Sequence, residues 1–586
     1  MSIATNKPFP LTFLRACFWL VAIVLGVLHT WAGASSRSMN PDGIAYLDMG
    51  DAYLRGDWNM AINPYWSPLY SWLLAPVIYV FHPSMRWEFP VVHLVNFLIY
   101  LLALICFEFF WLRLMRWQQA NSPEAEIATF PGWAWLSLGY TLFLYSALNL
   151  IKIWSVTPDM LVAALVFLAA GLIVRIRAGA ATWRTFALLG CVLGMGYLAK
   201  TAMFLLAFVF LAISFFSVGD LRRASKLVPV ALFGFLLIAG PYVAALSNVK
   251  GSLTYGDTGK LMYAWHVNSV PHPHWQGEVP GAGIPQHPSI KIFESPPIYK
   301  FSGPVGGTYP ISYNPVYWYE GITPRLELKG QVKVLVDALD YYFDLFFRQQ
   351  GGLLVTLLFL YFFMIRSKNL PKLLRDSGLT IVALLALGMY ALVHVQPRYI
   401  GAFVVLFWAD LVAGVRLPNS RDAHRLLAFA GAVMLSVNLI NIAAFNFDGV
   451  RKLIGLPTPN PLNSATKAGA RTWAGEVAEE LHRLGIESGD KVAVIGYAFT
   501  SFWARLARVQ IVAEMFDWEA DPFWLGGPAA QAEVLKAFAG TGARAIVAER
   551  VPHHVTPSGW HQVGSSNYYI YLFNVNRRSK PALAAF

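Results

Sequence analysis

The sequence predicts a polytopic α-helical membrane protein that carries a small α/β domain at its C-terminal end. Three observations predict it. Only 13% of the 586 residues are charged and 56% are hydrophobic, against about 25% charged in soluble domains. The apolar residues fall in runs long enough to cross a bilayer, which takes about 20 residues. Beyond residue 446 those runs stop, and short strand-like and helix-like segments alternate.

At that length per span about eleven transmembrane helices are expected. They fall near 14–33, 90–112, 131–150, 158–175, 185–200, 201–218, 227–247, 351–366, 378–395, 399–416 and 426–445. Lys7 and Arg15 precede the first run, which ends in Ala32-Gly33-Ala34, a pattern shared with secretory signals. The length of the run and the many spans after it predict a retained helix instead.

Charge sets the orientation. Lys7/Arg15, Arg113/Arg116, Arg175/Arg177/Arg184, Arg222/Arg223/Lys226, Arg366/Lys368/Lys372/Arg375 and Arg416/Arg421/Arg425 all fall on one side of these spans. The short loops of the other side carry only Lys152, Lys200 and Arg398. The first group is cytoplasmic by the positive-inside rule, so the N-terminus is inside and the C-terminus outside. Three larger pieces then face the exterior. The first, 34–89, holds two short surface helices at Ile44–Leu54 and Leu69–Val80. The second is the loop 248–350, and the third is the tail.

The chain therefore divides into a transmembrane domain, 1–446, and an extracytoplasmic α/β domain, 447–586. In the tail a helix over Ala465–Leu484 leads through the turn Ser488-Gly489-Asp490 into a strand, Lys491–Ile495. Strands at Val509–Ala513, Ala543–Ala548 and Tyr568–Phe573 and a helix at Ala529–Ala539 complete the alternation. Gly496 after the first strand is not followed by the dinucleotide fingerprint G-x-G-x-x-G. A stabilising or acceptor-docking domain is the reading that remains. No internal repeat and no low-complexity segment is present.

The net charge of +12 does not indicate nucleic acid, because the basic residues sit in short clusters between spans. Cys17, Cys106 and Cys191 all lie in apolar runs, so no disulfide framework is expected.

Five short segments carry a resemblance. They are Pro41-Asp42-Gly43-Ile44-Ala45-Tyr46, Ser67-Pro68-Leu69-Tyr70-Ser71-Trp72-Leu73-Leu74-Ala75-Pro76, Thr157-Pro158-Asp159-Met160-Leu161, Gly194-Met195-Gly196-Tyr197-Leu198-Ala199-Lys200-Thr201 and His394-Val395-Gln396-Pro397-Arg398-Tyr399. In their order and shared exterior placement they resemble the GT-C glycosyltransferases. Nearest are the protein O-mannosyltransferases, the aminoarabinose transferase of lipid A and the RgtA/B/C/D-like group. The resemblance spans about residues 12–446 and leaves 248–350 unmatched. The chain departs from the family at Asp42-Gly43, where Asp-Glu is common, and at Trp66-Ser67, where a His precedes Pro-Leu.

The resemblance implies an inverting glycosyltransferase that moves a monosaccharide from a polyprenyl-phosphate donor. The acceptor would be a cell-envelope glycan, a lipid or a protein on the exterior face of a bacterial inner membrane. Such chemistry needs a base for the acceptor hydroxyl and a group that steadies the departing phosphate. By resemblance Asp42 is the base; as an Asp before a helix it also suits an N-cap. Asp159 is a second catalytic candidate, although a first-turn acid is favoured by the helix dipole in any case. Lys200 and Arg398 are the donor-phosphate ligands, as a point charge and a planar fork. Lys200 could equally be a snorkelling lysine.

Tyr46, Asp48, His394 and Tyr399 are candidate acceptor or sugar contacts. Asp48 and Asp51 share a helix face that is more often solvated, and His394 suits a buried, hydrogen-bonded role. The aromatics of 248–350, among them Tyr255, Trp265, Trp275 and Trp318, fit sugar stacking or a membrane interface equally. No cofactor is expected. A divalent metal at His266, His272, His274 or His287 is disfavoured because the spacing matches no helical metal motif. The alternatives are a transporter or flippase of a lipid-linked sugar, which expects broken helices with charges at mid-membrane, whereas Glu108, the clearest intramembrane acid, lies near the cytoplasmic end close to Arg113, and a catalytically inactive binding protein.

Overall fold

A computed structural model describes residues 11–35, 39–123, 126–301, 303, 306–366, 378–453, 473–552, 555 and 557–573. Lys7, Lys368, Lys372, Arg375 and the predicted helix start at 465–472 lie outside the described residues. The first half of the chain forms α1 (Leu11–Ser35), α2 (Pro41–Leu54), α3 (Leu69–Phe81), α4 (Glu88–Ala120) and α5 (Gly132–Leu144), the last prolonged by a wider turn, Tyr145–Ile151. Next come α6 (Asp159–Arg177), α7 (Trp183–Ala199), α8 (Met203–Ser217), α9 (Leu221–Lys250) and α10 (Thr258–His266). The second half adds α11 (Leu328–Phe343), α12 (Gly351–Arg366), α13 (Gly378–Ala391), α14 (Pro397–Gly414) and α15 (Arg421–Leu453).

A helix stands at every predicted span. Among the described residues, 7 helices are long and apolar enough to cross a membrane, or 8 if a bent pair counts as one. The shorter apolar helices are α3, α7, α8 and α13. This is a multi-pass membrane protein, and its helices show which faces meet lipid. On α4, Leu94, Leu98, Leu102 and Ile105 are exposed along one stripe while Val92, Ile99, Ala103 and Phe110 are buried. The bent pair joins α11 to α12 at 77°. Leu328, Val332, Val336, Leu339 and Phe343 are exposed along one stripe of α11, with Lys329, Lys333 and Asp340 at other positions, as suits a helix lying along an interface.

Small residues set the closest helix contact. A Cβ on Gly190 of α7 would lie 1.9 Å from the Ala231 carbonyl oxygen of α9, and one on Gly234 would lie 2.9 Å from that of Ala187. Only glycine lets these backbones touch, and the contact fixes α7, whose last turn leads into Lys200. The one intramembrane acid singled out in the sequence is tied up structurally. Glu108 accepts from Arg15 at 2.5 and 2.8 Å and from Trp19 at 2.9 Å, and also from the Tyr140 hydroxyl. Its sequence neighbour Arg113 lies instead over the Phe109 ring.

The tail forms α16 (Ala474–Arg483), β3 (Lys491–Ile495), α17 (Phe502–Leu506), β4 (Gln510–Met515), α18 (Pro528–Ala539), β5 (Ala545–Ala548), β6 (His561–Gln562) and β7 (Tyr569–Leu572). Two strands from the large loop, β1 (Ile290–Glu294) and β2 (Pro297–Lys300), join it. The result is a 7-stranded sheet in the order β1-β2-β4-β3-β5-β7-β6, parallel where β3 meets β4 and β5 and antiparallel elsewhere. The loop is tied down further where Tyr309 donates to Glu514 at 2.7 Å and His274 Nε2 lies 2.7 Å from the same carboxylate.

This roof corrects one expectation. The sequence puts Ile44–Leu54 on the surface, but α2 is buried from Gly43 through Gly50. Loop residues such as Thr308 and tail residues such as Arg505 cover it.

Candidate active site

Pro41 opens α2, where its fixed φ is already helical and its missing N–H is not needed. The cap position falls to Asn40, whose side chain makes no cap bond. Asp42 is therefore not the cap. It sits inside the first turn, where a negative charge is favoured, and its carboxylate accepts from Arg398 Nη2 at 2.8 Å. Gly43 has a packing reason: a Cβ there would lie 2.6 Å from Val156. The bare glycine lets the start of α2 settle against the segment leading to Asp159. A glutamate at this position would require the Val156 and Met39 side chains to shift.

Asp159 is the first residue of α6, buried, and accepts from Lys200 Nζ at 2.5 Å. Lys200 caps the C-terminal end of α7 in extended conformation. Its ammonium also stands 3.5 Å from the centroid of the Tyr399 ring, a cation–π contact. Arg398 follows Pro397 at the start of α14. Its Nε donates to Gln396 at 2.9 Å and stands 3.6 Å from Asp159. Segments far apart in the chain thus bring two carboxylates and two cations together where α2, α6 and α14 begin.

Exposure separates the four. The side chains of Asp42, Arg398 and Lys200 keep 18%, 18% and 20% of their surface open, whereas Asp159 keeps 3%. Asp42 can meet an incoming group and Asp159 cannot. Burial, with Asp42 and Asp159 close by, pushes the Tyr46 phenol well above its ordinary value, so it stays a neutral donor.

The remaining candidates divide. Tyr46 packs against Trp66 and Tyr70 beside the cluster, and Tyr399 lies under both cations. His394 is stacked flat on His266 with centroids 3.9 Å apart and touches Gln396, so it borders Arg398. Burial and the neighbouring His394 push the His266 imidazole down to about 4. Asp48 points elsewhere, to Thr308 and Arg505. The sequence assigns no role to Gln396 or Tyr65 and offers His272 only as a disfavoured metal ligand. Gln396 lies within the segment His394–Tyr399. Tyr65 and His272 both feel the Asp42 charge, but their approach depends on how the loops fold.

The loop histidines do not converge. His274 bonds Ser289, while His287 bonds Glu320 at 2.8 Å and stacks on Tyr317. Among the described residues no group of three His, Cys, Asp or Glu is placed to hold a metal ion.

No protein-family model and no curated protein sequence matches this chain. Among solved structures it is similar to ArnT from Cupriavidus metallidurans bound to undecaprenyl phosphate, at 12% identity over 96% of this chain and 99% of that one, with a TM-score of 0.48. It is also similar to the Archaeoglobus fulgidus oligosaccharyltransferase in its apo form, at 13% identity over 93% and 70% of the two chains, again with a TM-score of 0.48. What the cluster can do follows from its own groups.

Proposed function

We propose that the protein is an inverting membrane glycosyltransferase of the GT-C kind, transferring a monosaccharide from a polyprenyl phosphate to an acceptor hydroxyl. The observation that carries this reading is the ion cluster of Asp42, Arg398, Lys200 and Asp159, open to solvent on one side only. Its two cations suit a phosphate, and its one accessible carboxylate suits a base. The donor phosphate competes with Asp42 for Arg398. As it binds, the guanidinium turns from the carboxylate to the phosphate, and Asp42 is left to face the acceptor. The acceptor oxygen attacks the anomeric carbon while its proton passes to Asp42. The bond from that carbon to the phosphate oxygen breaks, and polyprenyl phosphate leaves with its charge held by Lys200 and Arg398. Asp159, sealed between the cations, fixes their placement.

The acceptor is a cell-envelope glycan, a lipid or a protein, and the site faces the exterior of a bacterial inner membrane. The transporter reading is weakened by Glu108, whose lone pairs are engaged by Arg15, Trp19 and Tyr140 in joining α1 to α4 and α5. A strain lacking the protein is expected to accumulate one polyprenyl-phosphate sugar, read by lipid mass spectrometry. An unchanged lipid profile together with loss of uptake or export of a sugar would favour the transporter. Orientation has its own test. A reporter fused after Phe586 is expected to be active only outside the cytoplasm, and cytoplasmic activity would put the cluster on the wrong side for this chemistry.

A further inference from the structure

Asp48 and Asp51 belong to no part of the cluster above, yet they are held more tightly than any surface acid needs. Asp51 lies about two and a half helical turns beyond Asp42, which puts the two on opposite sides of α2. Asp48 and Asp51 share that far side. There Arg505 of α17 donates from Nη1 to Asp48 at 2.8 Å and to Asp51 at 2.5 Å, and from Nε to Glu88 of α4 at 2.9 Å. Arg508 donates to the second oxygen of Glu88 at 2.7 Å. The other Asp48 oxygen accepts from the Thr308 backbone at 2.6 Å. Arg505, Asp48 and Glu88 keep only 3%, 6% and 2% of their side-chain surface.

Buried ion networks are weak contributors to net stability, since apolar packing in the same space does as well or better. What such a network adds is direction. A guanidinium fork satisfies three carboxylates from two helices in one arrangement only. Arg508, beside it, holds a φ of 56°, a left-handed conformation that non-glycine residues rarely adopt. That conformation persists only where the surroundings over-determine it. The tail therefore grips α2 from behind while Arg398 grips Asp42 in front.

We propose that Arg505 is a positioning residue, through which the C-terminal domain sets the placement of α2 and so aims Asp42 at Arg398 and the reacting centre. The proposal rests on the glycosyltransferase reading for its kinetic consequence, but not for its structural one.

The test uses full-length protein in lipid nanodiscs. Arg505→Lys keeps a charge but cannot bridge three carboxylates. Backbone amide exchange over residues 42–54 is expected to quicken while that of residues 400–414 stays as in wild type. With the polyprenyl-phosphate sugar that accumulates in the deletion strain as donor, kcat is expected to fall about 10–100-fold, as for a reacting group displaced by about 1 Å, with donor KM unchanged within about threefold. A merely stabilising role would quicken exchange over residues 42–54 but leave the kcat of folded protein as in wild type. Wild-type kcat in the folded variant would therefore overturn the proposal whatever the exchange, as would a donor KM that rises in step with the fall in kcat.

Should Arg505→Lys not fold, the triple variant Arg505→Met, Asp48→Asn, Asp51→Asn, which removes the guanidinium together with the two α2 carboxylates it holds, is read in the same way, since it leaves the Glu88–Arg508 pair intact. Failure of both to fold would make the network a folding core and overturn its positioning role. Wild-type protein that transfers no polyprenyl-phosphate sugar would sink the glycosyltransferase reading alone, and the exchange measurement would then decide on Arg505.

Discussion

Asp42→Asn is expected to lower sugar transfer by about 10²–10⁴-fold, the usual worth of a general base, while the protein folds and inserts normally. The substitution preserves size, and the amide oxygen can still accept from Arg398. Helix α2 loses no cap, because Asn40 holds that position. It loses only a favourable first-turn charge, worth about 0.3–1 kcal/mol. Donor binding should be retained or tighten, since Arg398 no longer has to leave a carboxylate to meet the phosphate. Lower turnover without weaker donor binding is the pattern that separates a base from a binding group. Near wild-type turnover in folded Asp42→Asn would make the Arg398 pair structural, and the base would have to be sought outside the cluster, since Asp159 is sealed.

Much of the membrane part is legible in the sequence because bilayer physics writes it there. Apolar runs mark the helices, and the prolines of Pro41-Asp42, Pro158-Asp159 and Pro397-Arg398 mark helix starts that the structure brings together. Resemblance picks out these positions, but the contacts Asp42–Arg398 and Asp159–Lys200 join residues whose chain separation leaves no periodic trace. Other contacts were not legible at all. The hairpin of β1 and β2 adds to the tail sheet from a loop whose strands are too short to stand out. The hold of Arg505 on Asp48 and Glu88 joins residues more than four hundred positions apart. Asp48 and Asp51, read alone, look like a solvated face, because a neutralising arginine so distant in sequence cannot be seen from them. Gly43 looks like a departure from a family pattern until Val156 is found where its side chain would be.

Removing Arg398 or Lys200 is expected to weaken donor binding by about 1.5–3 kcal/mol each, the range for a hydrogen bond to a charged group. That is about 10–150-fold in Kd. Arg398 should matter more, because its planar fork can present two donors to phosphate oxygens while an ammonium acts as a point charge. The two positions differ in what they leave behind. Arg398→Gln leaves Asp42 partly open to water, so folding should suffer little. Lys200→Gln leaves Asp159 sealed with the more distant Arg398 at 3.6 Å, and a buried carboxylate stripped of its close partner costs about 3–5 kcal/mol. Lys200→Gln with Asp159→Asn removes both charges and should restore folding without restoring donor affinity. Titration with undecaprenyl phosphate, followed by intrinsic tryptophan fluorescence or calorimetry, reads the binding without any need for the sugar. Affinity equal to wild type in folded Arg398→Gln and in the Lys200→Gln, Asp159→Asn pair would remove phosphate binding from the cluster. The four residues would then be what any two buried ion pairs can be, a device for holding helices together.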